Sequence, residues 1–180
     1  QNCVAQAQRA GDSLHELIAS LHNADARIEN LDLNEIIVDA LHAVRSNGFS
    51  DFQQTLQLEP NLPNVSANHV QIKKALINLL RNAVEAMSSA NVANSAITIT
   101  VNTVAKEKLA LVTIEDRGPG INPQIFHQIF DPFFTTKPSG IGMGLSISRA
   151  LIEANGGQLW VDPQSPSGAK FHFTLPFTSW

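Results

Sequence analysis

Apolar residues recur along positions 3–31 at alternating steps of four and three: Cys3, Ala7, Ala10, Leu14, Leu17, Leu21, Ala24, Ile28 and Leu31. That is the seam of one helix packed on another. Polar Gln8, Arg9, Asp12, Glu16, Asp25 and Arg27 fall between them. The plain reading is a solvated amphipathic helix. The sharper one is a homodimer seam, since a lone helix ahead of a globular domain has no core of its own. Gly11 weakens this helix by about 1 kcal/mol relative to alanine.

The pattern then changes. Asp32-Leu33-Asn34-Glu35 reads as a capping box opening a helix. Its apolar face is Leu33, Ile36, Ile37, Ala40, Leu41 and Val44, and Asn47-Gly48 ends it. Residues 55–58 alternate like a strand, stopped by Pro60 and Pro63. A helix is expected from about Asn68 to Met87, with Val70, Ile72, Ala75, Leu76, Leu79, Ala83 and Met87 as its apolar face. Residues 97–104 and 109–115 read as paired strands around a turn at Lys106. Residues 116–142 are rich in Gly, Pro, Phe and Thr and read as a long functional loop, with a short helix near Pro123–Ile129. A helix from Gly144 to Ala154 ends at Asn155-Gly156-Gly157, and strands near 158–161 and 169–175 close the chain. The class is α+β, a largely antiparallel sheet with helices on one face.

Composition narrows the picture. With 180 residues, 43% apolar and 16% charged, the chain holds one domain plus an appendage and is no disordered tail. A net charge of −4 with no Lys/Arg run argues against nucleic acid or an anionic membrane as partner. No apolar run approaches the roughly 18 residues needed to cross a bilayer, and no signal-peptide pattern opens the given sequence. One cysteine excludes an internal disulfide framework. These features fit a cytoplasmic segment, one that opens mid-helix as if cut from a longer protein. Cys3, on the seam, reads as a plain buried residue in a reducing compartment, or under oxidation as a cross-link between two chains.

Four short motifs carry candidate chemistry. In Asn78-Leu79-Leu80-Arg81-Asn82-Ala83-Val84-Glu85-Ala86, Asn78 and Asn82 share one helix face. Asparagine is a poor helix former, and an amide oxygen is a hard neutral ligand suited to Mg2+. A pair of surface amides is the bland alternative. Glu115-Asp116-Arg117-Gly118-Pro119-Gly120 follows a strand. A buried carboxylate there could accept from the exocyclic amino group of adenine. Guanine offers an acceptor instead, and an unpaired Asp116 would cost on the order of 1–3 kcal/mol. A surface turn is the alternative.

The third motif, Ile129-Phe130-Asp131-Pro132-Phe133-Phe134-Thr135-Thr136-Lys137, puts three phenylalanines in a loop and ends in a flexible cation. The fourth, Gly140-Ile141-Gly142-Met143-Gly144-Leu145, opens a helix and bares amides for an anion. It matches neither the P-loop nor a dinucleotide fingerprint.

In this order and at these separations, the four motifs resemble the N, G1, F and G2 boxes of sensor histidine kinases. That family shares its nucleotide fold with gyrase, a heat-shock chaperone and mismatch-repair ATPases. The resemblance spans about residues 33–176. It is nearest to the short-lid nitrogen-regulation, oxygen-sensing and dicarboxylate-sensing kinases, on the run Phe130–Lys137 and the ending Gly168-Ala169-Lys170-Phe171-His172-Phe173-Thr174-Leu175-Pro176. It implies a two-layer α/β sandwich (the GHKL or Bergerat ATP-binding fold) over 33–180, preceded by the last helix of a dimerisation region over 1–32.

The resemblance implies roles as well. Asn82 would ligate Mg2+ on the ATP phosphates, with Asn78 nearby. Asp116 would hold the adenine amino group in a pocket shaped by Gly118, Gly120 and Ile121. Gly140, Gly142, Met143, Gly144 and Leu145 would form the hinge and floor under the phosphates. Phe134, Thr135, Thr136 and Lys137 would belong to a mobile lid over about 121–141, poorly ordered without nucleotide. Glu85 stands where some relatives place a lysine near the phosphates, and whether it assists the metal stays open.

The implied activity is transfer of the γ-phosphoryl of Mg-ATP to a histidine. ATP-hydrolysing cousins place a glutamate where this chain has Asn78, which cannot serve as a base. The phosphoacceptor itself is absent. His15-Glu16-Leu17 only superficially resembles the acceptor motif, and no histidine here is expected to be phosphorylated. Partners implied are a second copy through the N-terminal helix, a dimerisation domain of its own or a partner chain, and a response regulator receiver domain. The competing readings are a GHKL ATPase or serine kinase, and a non-catalytic nucleotide-sensing module.

Overall fold

The computed structural model describes residues 27–49, 52–90, 98–106, 108–137, 140–163 and 168–178. The seam over residues 3–26, with Cys3 and His15, lies outside them. Among the described residues eleven elements follow in order. They are β1 (Glu29–Leu31), α1 (Leu33–Ser46), β2 (Gln53–Gln57), β3 (Val65–Ala67), α2 (His69–Ser89), β4 (Thr98–Lys106), β5 (Leu109–Glu115), a 3-10 turn (Pro123–Ile125), α3 (Gly144–Ala154), β6 (Leu159–Val161) and β7 (Lys170–Pro176).

Helix α1 starts as its cap predicts. Asp32 is extended and its Oδ1 accepts from the amides of Asn34 at 2.8 Å and Glu35 at 3.2 Å. The whole expected apolar face, from Leu33 to Val44, is buried. Asn68 caps α2 by accepting from the Gln71 amide at 2.9 Å. The buried face of α2 is Ile72, Ala75, Leu76, Leu79, Leu80, Ala83, Val84 and Met87, and the helix packs between α1 and α3. Val70 does not belong to that face. It is 64% exposed, because nine residues before Leu79 it lies on the opposite side of the helix from the buried face.

The main sheet has strand order β2-β4-β5-β7-β6. Only β2 and β4 run parallel; the other pairs are antiparallel. Alternation decides its faces. Ala110, Val112 and Ile114 of β5 and Leu175, Phe173 and Phe171 of β7 are buried and directly paired, joining the one core cluster that the helices cover. The result is the two-layer α/β sandwich expected.

The expected helical seam cannot run through Leu31. Glu29–Leu31 is a strand paired antiparallel with Val65–Ala67, Glu29 opposite Ala67. The backbone groups that a helix would use internally are taken by β3. The Arg27 carbonyl accepts from Asn68 Nδ2 at 3.1 Å, which fixes the entry of this strand against the start of α2.

Candidate functional site

Where β5 ends, the chain leaves the sheet at a buried carboxylate. Asp116 is 3% exposed. Its Oδ1 accepts two backbone N–H bonds, from Gly118 at 2.8 Å and from Ala169 at 3.1 Å. Its own amide donates to the Ala169 carbonyl at 3.0 Å. Among the described residues Oδ2 receives no hydrogen bond. Burial pushes the carboxyl above its ordinary value of 3.8; the Ala169 and Gly118 N–H bonds oppose that, and neighbouring Glu115 adds to it. A carboxylate so held favours a donor on its remaining oxygen.

Gly168 makes this approach possible. Its φ is +72°, and a Cβ there would run into the Asp116 backbone carbonyl. Next to this turn lies a cavity of about 420 Å3, lined by Gly118–Ile121, Pro123, Phe126, Val161–Pro163, Gly168 and Ala169; the Asp116 carboxyl is not part of its wall. That size suits a small organic ligand.

A second cluster lies on α2. Asn78 and Asn82 share a face, as their spacing requires, yet they do different things. Asn78 Nδ2 donates to the Gly144 carbonyl at 2.5 Å and to Ser148 Oγ at 2.8 Å, and Asn78 Oδ1 accepts from Arg81 at 3.3 Å. It braces α2 against the first turn of α3. A Cβ on Gly144 would come within 2.8 Å of Asn78 Oδ1, so the brace needs glycine there. Asn82 Oδ1 instead accepts from Lys137 Nζ at 3.0 Å. The same Nζ donates to Glu85 Oε2 at 2.5 Å, while Glu85 Oε1 faces Arg81 Nε at 3.4 Å.

The loop between the two clusters folds as a series of turns. Bonds from Ile125 to Asn122, Gln128 to Ile125 and Asp131 to Gln128 follow one another. The helix expected over 123–129 is shorter, a 3-10 turn at Pro123–Ile125, because Pro123 can start a turn and no long apolar face sustains it. Phe133 is 57% exposed and held at φ +68°, in the left-handed region that disfavours a side chain. Phe134, Ile121 and Leu145 pack partly buried against the core. Thr135 and Thr136 are exposed. Thr135 Oγ1 accepts the Lys137 amide at 3.1 Å, and the Gly140 amide donates to the Lys137 carbonyl at 3.1 Å. Gly142 lies against the backbone of Phe133 and Phe134. Met143 occupies the N-cap of α3 with no side-chain bond to the helix amides, an end left open to an anion.

The expected residues therefore fall into two groups, one around Asp116 and one around Asn82, Lys137 and the start of α3. Sequence reasoning did not single out Ser148, fully buried against Asn78, or Arg81, the second cation on Glu85. Nor did it see that the Ala169 amide holds Asp116. Gly168-Ala169 was visible only as part of a strand ending.

A metal fits the group around Asn82 only in company. Asn82 Oδ1 and Glu85 Oε2 already share one cationic group, the Lys137 ammonium. Among the described residues no group of three or more His, Cys, Asp or Glu could hold a metal ion. Such a donor set suits Mg2+ carried in on phosphate oxygens.

The model of the histidine kinase-, DNA gyrase B- and HSP90-like ATPase family matches residues 67–179. The sensor protein FixL of Bradyrhizobium diazoefficiens is 37% identical over 175 residues, covering 95% of this chain and 34% of its own length. The C4-dicarboxylate transport sensor protein DctS of Rhodobacter capsulatus is 35% identical, covering 96% and 26%. This chain thus spans about a quarter to a third of these relatives. Among solved structures, a mycobacterial sensor histidine kinase, MprB, superposes with a TM-score of 0.72 at 30% identity, covering 85% of this chain and 99% of that one. Histidine kinase ThkA in complex with response regulator protein TrrA superposes at 0.71 and 25% identity, covering 95% and 49%.

Proposed function

Because the chain belongs to the family of histidine kinase-, DNA gyrase B- and HSP90-like ATPases, we propose that it is the ATP-binding catalytic domain of a two-component sensor histidine kinase. In this reading it delivers the γ-phosphoryl of Mg-ATP to a histidine absent from this chain. The observation that carries it is Asp116, a buried carboxylate with one oxygen saturated by backbone amides and the other left for an N–H donor. Adenine presents an amino group at that edge, whereas guanine would oppose acceptor to acceptor.

The rest of the site serves the triphosphate. Asn82 Oδ1 would hold Mg2+, and the metal, bound with ATP, supplies neutralising charge along the phosphate oxygens. The uncapped amides at the start of α3 face the anion, and Lys137 offers a mobile positive charge. Asn78 supports kinase over ATPase chemistry. Its amide nitrogen is committed to Gly144 and Ser148, and an amide cannot take a proton from water.

Residues 1–32 would belong to the dimerisation region up to the strand at Glu29, pairing two copies. The partners that follow are a dimerisation domain bearing the acceptor histidine and a response regulator receiver domain. No helix among the described residues is long and apolar enough to cross a membrane.

The test is transfer in trans. The chain is incubated with γ-labelled ATP, Mg2+ and the separately supplied dimerisation domain of its parent kinase. Label is expected on that domain's histidine and not on this chain. Label on His15, or steady ATP turnover with no acceptor, overturns the reading.

A further inference from the structure

The phosphate side contains a cation of its own. Lys137 Nζ sits on Asn82 Oδ1 at 3.0 Å and on Glu85 Oε2 at 2.5 Å. The lid turn aims it there, since Thr135 Oγ1 holds the Lys137 amide and Gly140 donates to its carbonyl. Glu85 is bridged by two cations, one per oxygen: Arg81 from its own helix and Lys137 from the lid. Both Glu85 and Lys137 are about a third exposed, so the pair is moderate in strength and can be exchanged.

We propose that Lys137 and Mg2+ are alternative occupants of one cation position on α2, with Glu85 the positioning residue that holds the lid lysine there. This rests on the nucleotide reading above. Asn82 offers one amide oxygen. A metal on that oxygen would stand in contact with the ammonium, and like charges so close repel. Loading Mg-nucleotide must therefore eject Lys137 from Asn82. That frees the ammonium for the incoming phosphates and releases the lid's tie to α2. The arrangement also accounts for an acidic residue at position 85 in a site built for anions. Glu85 does not face the phosphates unscreened: without nucleotide both its oxygens carry a cation, and in the exchange Mg2+ takes the position that Lys137 leaves.

Two measurements test this. ADP binding is followed by calorimetry over a series of Mg2+ concentrations for the wild type and Lys137→Met. Mg2+-free ADP binding should weaken in the variant, which lacks a phosphate contact. The Mg2+ concentration giving half the full enhancement should fall about two- to fivefold, because no resident cation has to leave. Separately, hydrogen exchange of residues 131–137 is measured without nucleotide. Glu85→Gln should speed it about two- to fivefold, with Glu85→Asp restoring part of the protection and the β5 and β7 amides unchanged as a control on folding.

An unchanged or higher Mg2+ midpoint in Lys137→Met, with ADP still bound, overturns the exchange alone. Lid exchange in Glu85→Gln equal to that of the wild type overturns the role of Glu85. A wild-type chain that binds no ADP overturns the nucleotide reading and this inference together.

Discussion

Asn78, in the middle of α2, donates through Nδ2 to the hydroxyl of Ser148 on α3 at 2.8 Å, across 70 positions of chain. With the companion bond to the Gly144 carbonyl, it fixes the glycine-rich entry of α3 to the helix that carries Asn82. An amide that looked like a ligand is thus the brace that sets the spacing between Asn82 and the start of α3.

Removing the brace should be felt in stability before function. Asn78→Ala leaves the fully buried Ser148 hydroxyl without its partner. The expected cost is about 1–3 kcal/mol in urea unfolding. Asn82→Ala, whose oxygen faces a partly exposed lysine, should cost well under 1 kcal/mol by the same measurement while abolishing Mg2+-dependent nucleotide binding. Equal losses of stability in the two variants would contradict the division of labour.

Gly168 tests how closely β7 must approach Asp116. Alanine there meets both a left-handed φ and the carbonyl of Asp116. The left-handed conformation alone costs about 1–2 kcal/mol, and the overlap adds to it. Gly168→Ala should therefore lose about 2 kcal/mol or more in denaturant melts and weaken ATP binding. A variant with native stability would show that the loop before β7 can relax freely.

Asp116→Asn separates base recognition from folding. The amide oxygen can still accept from Gly118 and Ala169, but its nitrogen presents donors where adenine also presents a donor. Calorimetric ATP affinity should fall about 10- to 100-fold. The pH dependence has a defined sign. The carboxyl titrates above its ordinary 3.8 because it is buried. Between that value and its raised folded-state value the native protein holds the proton that the unfolded chain has released. Asp116 therefore favours folding below that window, and its contribution is lost as pH rises through it. Relative to wild type, the asparagine variant should gain stability over the same rise. A constant difference across pH would refute the assignment.

His172 predicts the opposite slope. Its ring stacks on Trp160 at 5.3 Å, and Nδ1 lies 2.9 Å from Thr113 Oγ1. Burial lowers its pKa below 6.5, with the positive charge of Lys170 adding to that and the nearby carboxylates of Asp162 and Glu115 opposing it. Stability from this residue is present above 6.5 and declines as pH falls toward the lowered value, where the native ring finally takes its proton. His172→Gln should flatten that part of the stability profile. Thermal melts between pH 5 and 8 read the difference, and parallel curves for the two proteins would count against it.

Much of the fold was legible because its determinants are local. The Asp32 cap, the apolar face from Leu33 to Val44, and the alternation of Ala110, Val112 and Ile114 are set by helix and strand periods within a dozen residues. The four motifs were legible in the same way, since turn glycines, a carboxylate after a strand and paired amides on one helix face are short-range patterns. Other features depended on partners far along the chain. Glu29–Leu31 continue the helical period of the seam, and pairing with Val65–Ala67 made them a strand instead. Val70, by contrast, was misplaced locally: nine residues before Leu79 it lies half a turn round the helix, opposite the buried face.

The same holds at the site. Residue types and spacing established by themselves that Asp116, Asn82 and Lys137 were candidates. Which oxygen of Asp116 stays open was decided by Ala169, 53 positions later, and where Lys137 rests was decided by Glu85, 52 positions earlier. Periodicity acts through neighbours in sequence, whereas hydrogen bonds and charge pairs act through neighbours in space, and only the folded chain brings those together.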